Sequence, residues 1–91
     1  MELVIRGSFF RDWDNLLGRA LNNAIKSKTD EIKAAKGISQ ISHIKKLRTR
    51  NIWYKIEIKT QQKVYWILCV IHKDKIEFVR LKPESFFKKN L

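Results

Sequence analysis

Apolar and polar residues follow two different patterns along this chain, and the pattern changes at Gly37. In the first part, residues 2–6 predict a short strand, and Gly7 then interrupts it. Ser8 is the expected N-cap of a first helix over about residues 8–16, where apolar side chains recur at helical spacing.

A second helix is predicted by the apolar positions that continue at helical spacing as far as residue 35. Lys28 is the one basic residue among these positions, and we expect its long stem to carry the charge out to water. Gly37 is a natural residue to end the helix. Lys33 and Lys36 then lie favourably against the negative end of the helix dipole.

Beyond Gly37 the sequence predicts three strands rich in β-branched and aromatic residues, over 52–58, 64–71 and 76–81. The four-residue connections 60–63 and 72–75 suit antiparallel hairpins. Pro83 is expected to close the last strand, and residues 85–89 are predicted to form a final helical turn.

These elements predict one α+β domain over residues 1–91: an N-terminal strand, a helical hairpin, a three-stranded antiparallel sheet and a short C-terminal helical turn. The run 64–71 is apolar at successive positions, which is typical of a central strand. In 53–58, Trp53, Lys55 and Glu57 share one face. One face of the sheet packs on the helices, and the other is left for a partner.

The distribution of charge along the chain predicts a polyanionic partner. The chain has 20 Lys and Arg against 9 Asp and Glu, and residues 36–91 hold 14 of the basic but only 4 of the acidic side chains. Such a field attracts nucleic acid or a ribosome, although it would equally suit an anionic membrane surface or serve only to keep the protein hydrated.

Other classes of function are not favoured. The longest apolar run, 64–71, is far shorter than the roughly 20 residues of a spanning helix. With no signal peptide at Met1, we expect a cytoplasmic protein that does not enter membranes. The single Cys69 suits a packed thiol, and with His43 and His72 it makes no recognisable metal site. We therefore expect no cofactor, no metal and no small-molecule substrate.

Candidate binding residues cluster before and within the first of the three strands. Lys45, Lys46, Arg48 and Arg50 place four cations in six residues, which suits phosphate contact but also a merely hydrated turn. In the next strand a base could stack on Trp53 while Lys55 holds a phosphate, unless Trp53 only caps the edge of the core.

The order of elements, together with Ile-Ser-Gln-Ile-Ser-His-Ile-Lys-Lys-Leu-Arg at 38–48, Tyr-Lys-Ile-Glu-Ile at 54–58 and Glu-Phe-Val-Arg at 77–80, resembles the RelE/ParE superfamily of type II toxins, most closely its RelE-like branch. The resemblance implies a toxin that a cognate acidic antitoxin neutralises. In the RelE branch it implies a ribosome-dependent endoribonuclease, which cuts mRNA by attack of a ribose 2′-hydroxyl on the adjacent phosphate.

The resemblance also assigns roles by position. It makes Lys55 the strand lysine and candidate base, and it places Arg80 with Lys82 beside the phosphorane. His72 could supply an acid or base, although it is equally a solvated residue at the end of a hairpin. The remaining candidate contacts to RNA or the ribosome are the basic loop residues, Lys63, Phe87 and Lys88.

This chain departs from the family pattern at three places. Trp66 stands where many relatives have an arginine, Lys82-Pro83 replaces a common His-Arg corner, and Phe87 replaces a tyrosine and so offers no hydroxyl. Two alternatives therefore stay open. One is a ParE-like inhibitor of DNA gyrase that is not a nuclease, and the other is a catalytically decayed module that binds nucleic acid or an antitoxin.

Overall fold

The computed structural model of the chain describes residues 1–16, 18–48 and 52–86. The elements are β1 (Glu2–Ile5), α1 (Gly7–Asn15), α2 (Arg19–Ala34), a 3-10 turn (Ile38–Gln40), β2 (Ile44–Lys46), β3 (Trp53–Lys59), β4 (Val64–His72) and β5 (Lys75–Pro83). The predicted α+β class and the order of its elements are confirmed. A helical turn begins at 84–86, and the rest of the turn predicted at 85–89 lies outside the described residues.

One sheet in the order β1-β5-β4-β3-β2 contains all five strands of the described residues. β4 lies at its centre, as the apolar run predicted. Neighbouring strands are antiparallel except β1 and β5, which are parallel. Two strands extend the predicted three-stranded sheet at its edges. The predicted N-terminal strand, β1, joins β5. β2 forms within the stretch expected to be a loop, because residues 44–46 pair with β3.

The helices cover one face of this sheet. Side chains with no solvent exposure meet in the layer between them, and these are Phe9, Ile25, Ile32, Ile56, Ile67, Cys69, Ile76, Phe78 and Leu81. Full burial of a side chain of this size contributes about 1.5–3 kcal/mol. The core therefore fixes which face of each strand is inside, and it leaves Trp53, Lys55 and Glu57 on the other face, as predicted.

Three local predictions are wrong. Ser8 does not cap α1, because the helix begins at Gly7 and the Ser8 Oγ donates a hydrogen bond to the Val79 carbonyl at 2.6 Å. α2 ends at Ala34, three residues before Gly37. Lys28 is only 8% exposed, because acceptors inside the protein hold its ammonium group.

α1 completes the edge of β5 where β1 ends. β1 pairs with β5 as far as Phe78, whose carbonyl also accepts a hydrogen bond from the Arg6 amide at 3.0 Å. Beyond that point Ser8 binds the Val79 carbonyl, and the Leu81 amide donates to the carboxylate of Asp12 at 2.9 Å. These contacts satisfy strand-edge groups that would otherwise be unpaired.

Within residues 1–16, 18–48 and 52–86, no helix is both long and apolar enough to cross a membrane.

Candidate nucleic-acid interface

The face of the sheet that α1 and α2 leave uncovered, here called the open face, carries a row of three cations. In the strand register Lys45 lies opposite Lys55, Lys55 lies opposite Leu68, and Leu68 lies opposite Arg80. Residues directly opposite each other share a face, and neighbouring strands are about 4.8 Å apart, so the row spans about 14 Å across four strands. We call Lys45, Lys55 and Arg80 the cation row.

Two members of the cation row repel each other. Lys45 and Lys55 form a cross-strand pair of like charges on β2 and β3, and Lys45 is exposed whereas Lys55 is half-buried. Like charges directly opposite destabilise a sheet, by an amount comparable to the roughly 0.2–1 kcal/mol that favourable pairs contribute. An anion bound between the two ammonium groups would remove this cost.

Lys55 is held in place by an aromatic ring. Its Nζ lies 4.4 Å from the centroid of the Trp66 ring, within the range of a cation–π contact. Trp66 belongs to the open face, because it lies opposite Glu57 and Lys82, yet it is only 8% exposed. Trp66, which stands where many relatives have an arginine, therefore holds the ammonium group of Lys55 against its ring.

Arg80 and Lys82 share one buried carboxylate, that of Asp12 on α1. Arg80 donates from Nε to Asp12 Oδ2 at 2.8 Å and from Nη2 to Oδ1 at 3.2 Å, and Lys82 Nζ lies 3.4 Å from Oδ1. With the Leu81 amide on Oδ2, both carboxylate oxygens have partners on β5. Asp12 is 9% exposed, whereas the Arg80 side chain remains 44% exposed.

This contact shifts the pKa values of both partners. Burial alone would raise the pKa of Asp12, but the hydrogen bonds from Arg80 and the Leu81 amide, with the charges of Arg80 and Lys82, bring it below its ordinary value. The hydrogen bond to Asp12 raises the pKa of Arg80, against the opposing effect of burial. Both groups are therefore charged throughout the neutral range.

A second buried ion pair fixes the start of β2. Lys28 Nζ donates to Glu31 Oε1 at 2.9 Å and to both the carbonyl and the hydroxyl of Ser42 at 3.0 Å. Glu31 also accepts hydrogen bonds from the amide and hydroxyl of Ser42. His43 follows with a positive φ of 59°, and Lys45 comes two residues later. α2 thereby positions the strand that supplies one end of the cation row.

The structure brings together some of the predicted site residues. The cation row and Lys82 share the open face, and Trp53 lies on the same face opposite Val70, half-buried. Arg48 is exposed in the turn that follows β2. Lys46 is exposed but belongs to the opposite face, because it pairs with Tyr54. Lys45 and Lys46 therefore do not act on one surface.

Two other candidates lie at the ends of the sheet. His72 is exposed at the end of β4, four residues from Leu68, which is about 13 Å along the strand. Lys63 is in the turn between β3 and β4, where it lines a cleft of about 520 Å³ that also includes Pro83. Neither is part of the cation row. Arg50, Phe87 and Lys88 lie outside the described residues.

Sequence reasoning missed the two groups that hold the cations. Asp12 lies between Phe9 and Trp13, so an acidic side chain shares the apolar stripe of α1. An acid at such a position needs a buried partner, and this pattern could have identified it. By the same argument, Lys28 among the apolar positions of α2 needs a buried partner of opposite charge. The contact of Lys55 with Trp66 has no equivalent sign, because it depends on the register of β3 and β4.

Neither protein-family models nor curated proteins yield a match to the sequence. Among solved structures, a chain of the RelB–RelE antitoxin–toxin complex from Methanococcus jannaschii superposes with a TM-score of 0.74. The two chains are 18% identical, and the match covers 97% of this chain and 98% of the other. At this level of identity the comparison concerns the backbone. This chain therefore has the fold of a chain from that complex over nearly its whole length.

Proposed function

We propose that the chain is the toxin of a type II toxin–antitoxin pair and blocks translation as a ribosome-dependent mRNA endoribonuclease. The observation that carries the proposal is the cation row, which lies on the sheet face opposite α1 and α2 in a fold like that found in an antitoxin–toxin complex. The excess of basic over acidic side chains in residues 36–91 supports the same interpretation.

In this proposal Lys45 binds the backbone of single-stranded mRNA, and Lys55 is the candidate base for the ribose 2′-hydroxyl. Arg80 and Lys82 lie at the phosphate that is attacked. Cleavage by a ribose 2′-hydroxyl concentrates negative charge on the phosphoryl oxygens in the transition state. Cations held in place beforehand stabilise that charge without having to reorganise. Trp66 and Asp12 supply the holding contacts, since each touches a cation of the open face.

The proposed partner is an acidic antitoxin that covers the open face and competes with RNA for it. Opposite charges would make capture of the toxin fast. A short neighbouring gene that encodes an acidic protein, and whose co-expression restores growth, would support this part of the proposal.

The test is expression of the chain without an antitoxin, followed by primer extension on translated mRNA. We expect growth arrest and cuts within translated regions, and we expect Lys55→Ala and Arg80→Ala each to abolish both. Lys26→Ala is the matched control, because it removes the same charge from an exposed position on α2, away from the open face.

Intact transcripts in arrested cells would contradict the nuclease. In that case a supercoiling assay with purified gyrase decides for or against the ParE-like alternative. Harmless overexpression of the wild-type chain would instead indicate a binding module without toxicity.

A further inference from the structure

We infer that Asp12 is a positioning residue, which fixes Arg80 and Lys82 at the edge of the cation row in the geometry that an RNA phosphate needs. The inference rests on the proposed function, because it names RNA as the anion. It concerns a residue on α1, outside the basic half of the chain.

The first reason is that Asp12 is anchored independently of the cations. Its Oδ2 accepts a hydrogen bond from the Leu81 amide of β5 at 2.9 Å, and its side chain is 10% exposed. This contact to a backbone group does not depend on where the Arg80 side chain lies. The carboxylate therefore stays in place when a phosphate approaches.

The second reason is that Asp12 leaves N–H donors of Arg80 free to bind another anion. A guanidinium group has five N–H donors, and Asp12 engages one on Nε and one on Nη2. The remaining donors belong to a side chain that is 44% exposed. Two contacts on one edge fix the plane of the guanidinium, and the other edge is available for a phosphate, which arginine binds in the same two-pronged way.

The third reason is the entropy of the arginine side chain. A free arginine loses much rotamer freedom when it binds a phosphate, and an arginine that is already held loses less. Small displacements of a group that touches the reacting phosphate reduce the rate strongly, by roughly 100-fold for about 1 Å. Replacing Asp12 should therefore reduce the rate of cleavage more than the loss of one negative charge alone would.

The matched pair for the test is Asp12→Asn and Asp14→Asn. Both remove one negative charge from α1, but Asp14 is exposed. Asparagine at position 12 keeps an oxygen for the Leu81 amide and loses the charge that holds Arg80. We expect cleavage at saturating RNA to fall by about 10- to 100-fold for Asp12→Asn relative to Asp14→Asn. We also expect Asp12→Asn to bind a short single-stranded RNA more weakly than Asp14→Asn does.

Two further variants separate positioning from folding. Arg80→Lys keeps the charge but cannot make the two-pronged contact, so it should show the same loss as Asp12→Asn. In an Arg80→Ala background, Asp12→Asn should cause a much smaller loss of affinity than in the wild-type background, because only the contact of Asp12 with Lys82 then remains to be lost. Thermal melts establish that each variant is folded, and the Nε–H resonance of Arg80 should lose its protection from exchange in Asp12→Asn.

Each result is decisive. Equal cleavage and equal affinity for Asp12→Asn and Asp14→Asn would overturn the inference, since Asp12 would then only join α1 to β5. Faster cleavage by Asp12→Asn would also overturn it, because Asp12 would then be a competitor of RNA. If the wild-type chain cleaves no RNA, the nuclease proposal fails. The coupling of positions 12 and 80 in RNA affinity then decides the inference: coupling supports it, and independence overturns it.

Discussion

Replacing Glu31 by glutamine should loosen the attachment of β2 to α2. The carboxylate accepts hydrogen bonds from the Ser42 amide and hydroxyl and pairs with Lys28 at 2.9 Å. Glutamine keeps an acceptor for Ser42 but leaves the ammonium of Lys28, whose side chain is 9% exposed, without a counter-charge. Replacing Lys28 by methionine removes that buried charge, and the Ser42 carbonyl can then bind water, since Ser42 is exposed.

The expected magnitudes follow from this asymmetry. Removing one partner of a buried pair costs about 3–5 kcal/mol when the remaining charge is left buried and unpaired, and less when water or other donors reach that charge. Glu31→Gln leaves the nearly buried Lys28 ammonium, whereas Lys28→Met leaves a carboxylate that still accepts hydrogen bonds from Ser42. The Glu31 side chain is 30% exposed, so water screens part of the loss, and we expect about 2 kcal/mol for Glu31→Gln and less than about 1 kcal/mol for Lys28→Met. In a domain of this size about 2 kcal/mol lowers Tm by roughly 8–16 °C.

Urea unfolding and thermal melts at pH 7 measure the effect, with Asp30→Asn as the control for an exposed acid on the same helix. Amide exchange at Leu47, which donates to the Trp53 carbonyl at 2.9 Å, should become faster in Glu31→Gln because β2 is released. Equal stabilities of Glu31→Gln and Asp30→Asn, or a larger loss in Lys28→Met, would refute the reasoning.

The same pair predicts a dependence on pH. Burial acts to raise the pKa of Glu31, but the hydrogen bonds from Ser42 and Lys28 lower it overall below its ordinary value of 4.5. A carboxyl whose pKa is lowered by folding stabilises the protein above its unfolded pKa, and the contribution is lost as the pH falls through the folded value. The difference in stability between wild type and Glu31→Gln should therefore be full at pH 7 and shrink below about pH 4.5.

Three further predictions concern the open face and the core. Lys45→Ala should reduce the slope of log affinity for single-stranded RNA against log salt by about 0.7, whereas Lys46→Ala, on the opposite face, should change it far less. An equal change of slope in both variants would contradict binding of RNA by the open face. Trp66→Leu should lower the free energy of unfolding by about 1–3 kcal/mol in urea melts, because a buried ring and its contact with Lys55 are lost. Burial raises the pKa of Cys69 to about 12, so iodoacetamide at pH 8 should label this thiol in urea but not in the native protein, as mass spectrometry would show.

Most of the fold follows from residue patterns because each core element has a clear period. The apolar spacing of α2 and the continuous apolar run of β4 reflect burial, and burial is what the structure shows. The edge strand β2 was harder to predict than β1. β2 is three residues long and rich in lysine, so its sequence resembles a hydrated loop, and it becomes a strand only because β3 offers an unpaired edge.

The site was predictable in its charges but not in their geometry. Lys55 and Arg80 stand out as cations on strands, and alternation alone places Lys55 on the open face. Arg80 shares that face because the register shifts by one residue between Leu68 and Cys69, so that Leu68 faces Arg80 while Cys69 faces Phe78. Such a bulge has no sign in a single sequence. Asp12 is 68 residues away along the chain, and only the fold brings it to Arg80.

The contacts that hold the cations leave most of their charge available. The Trp66 ring binds the ammonium of Lys55 without neutralising it, and Asp12 cancels one of the two charges of Arg80 and Lys82. One net positive charge therefore remains at each of three places across four strands, over about 14 Å. A charge pattern that runs perpendicular to the strands favours an extended polyanion lying across the sheet over a single small anion in a pocket. That is the geometry that the proposed function, binding of single-stranded mRNA, requires.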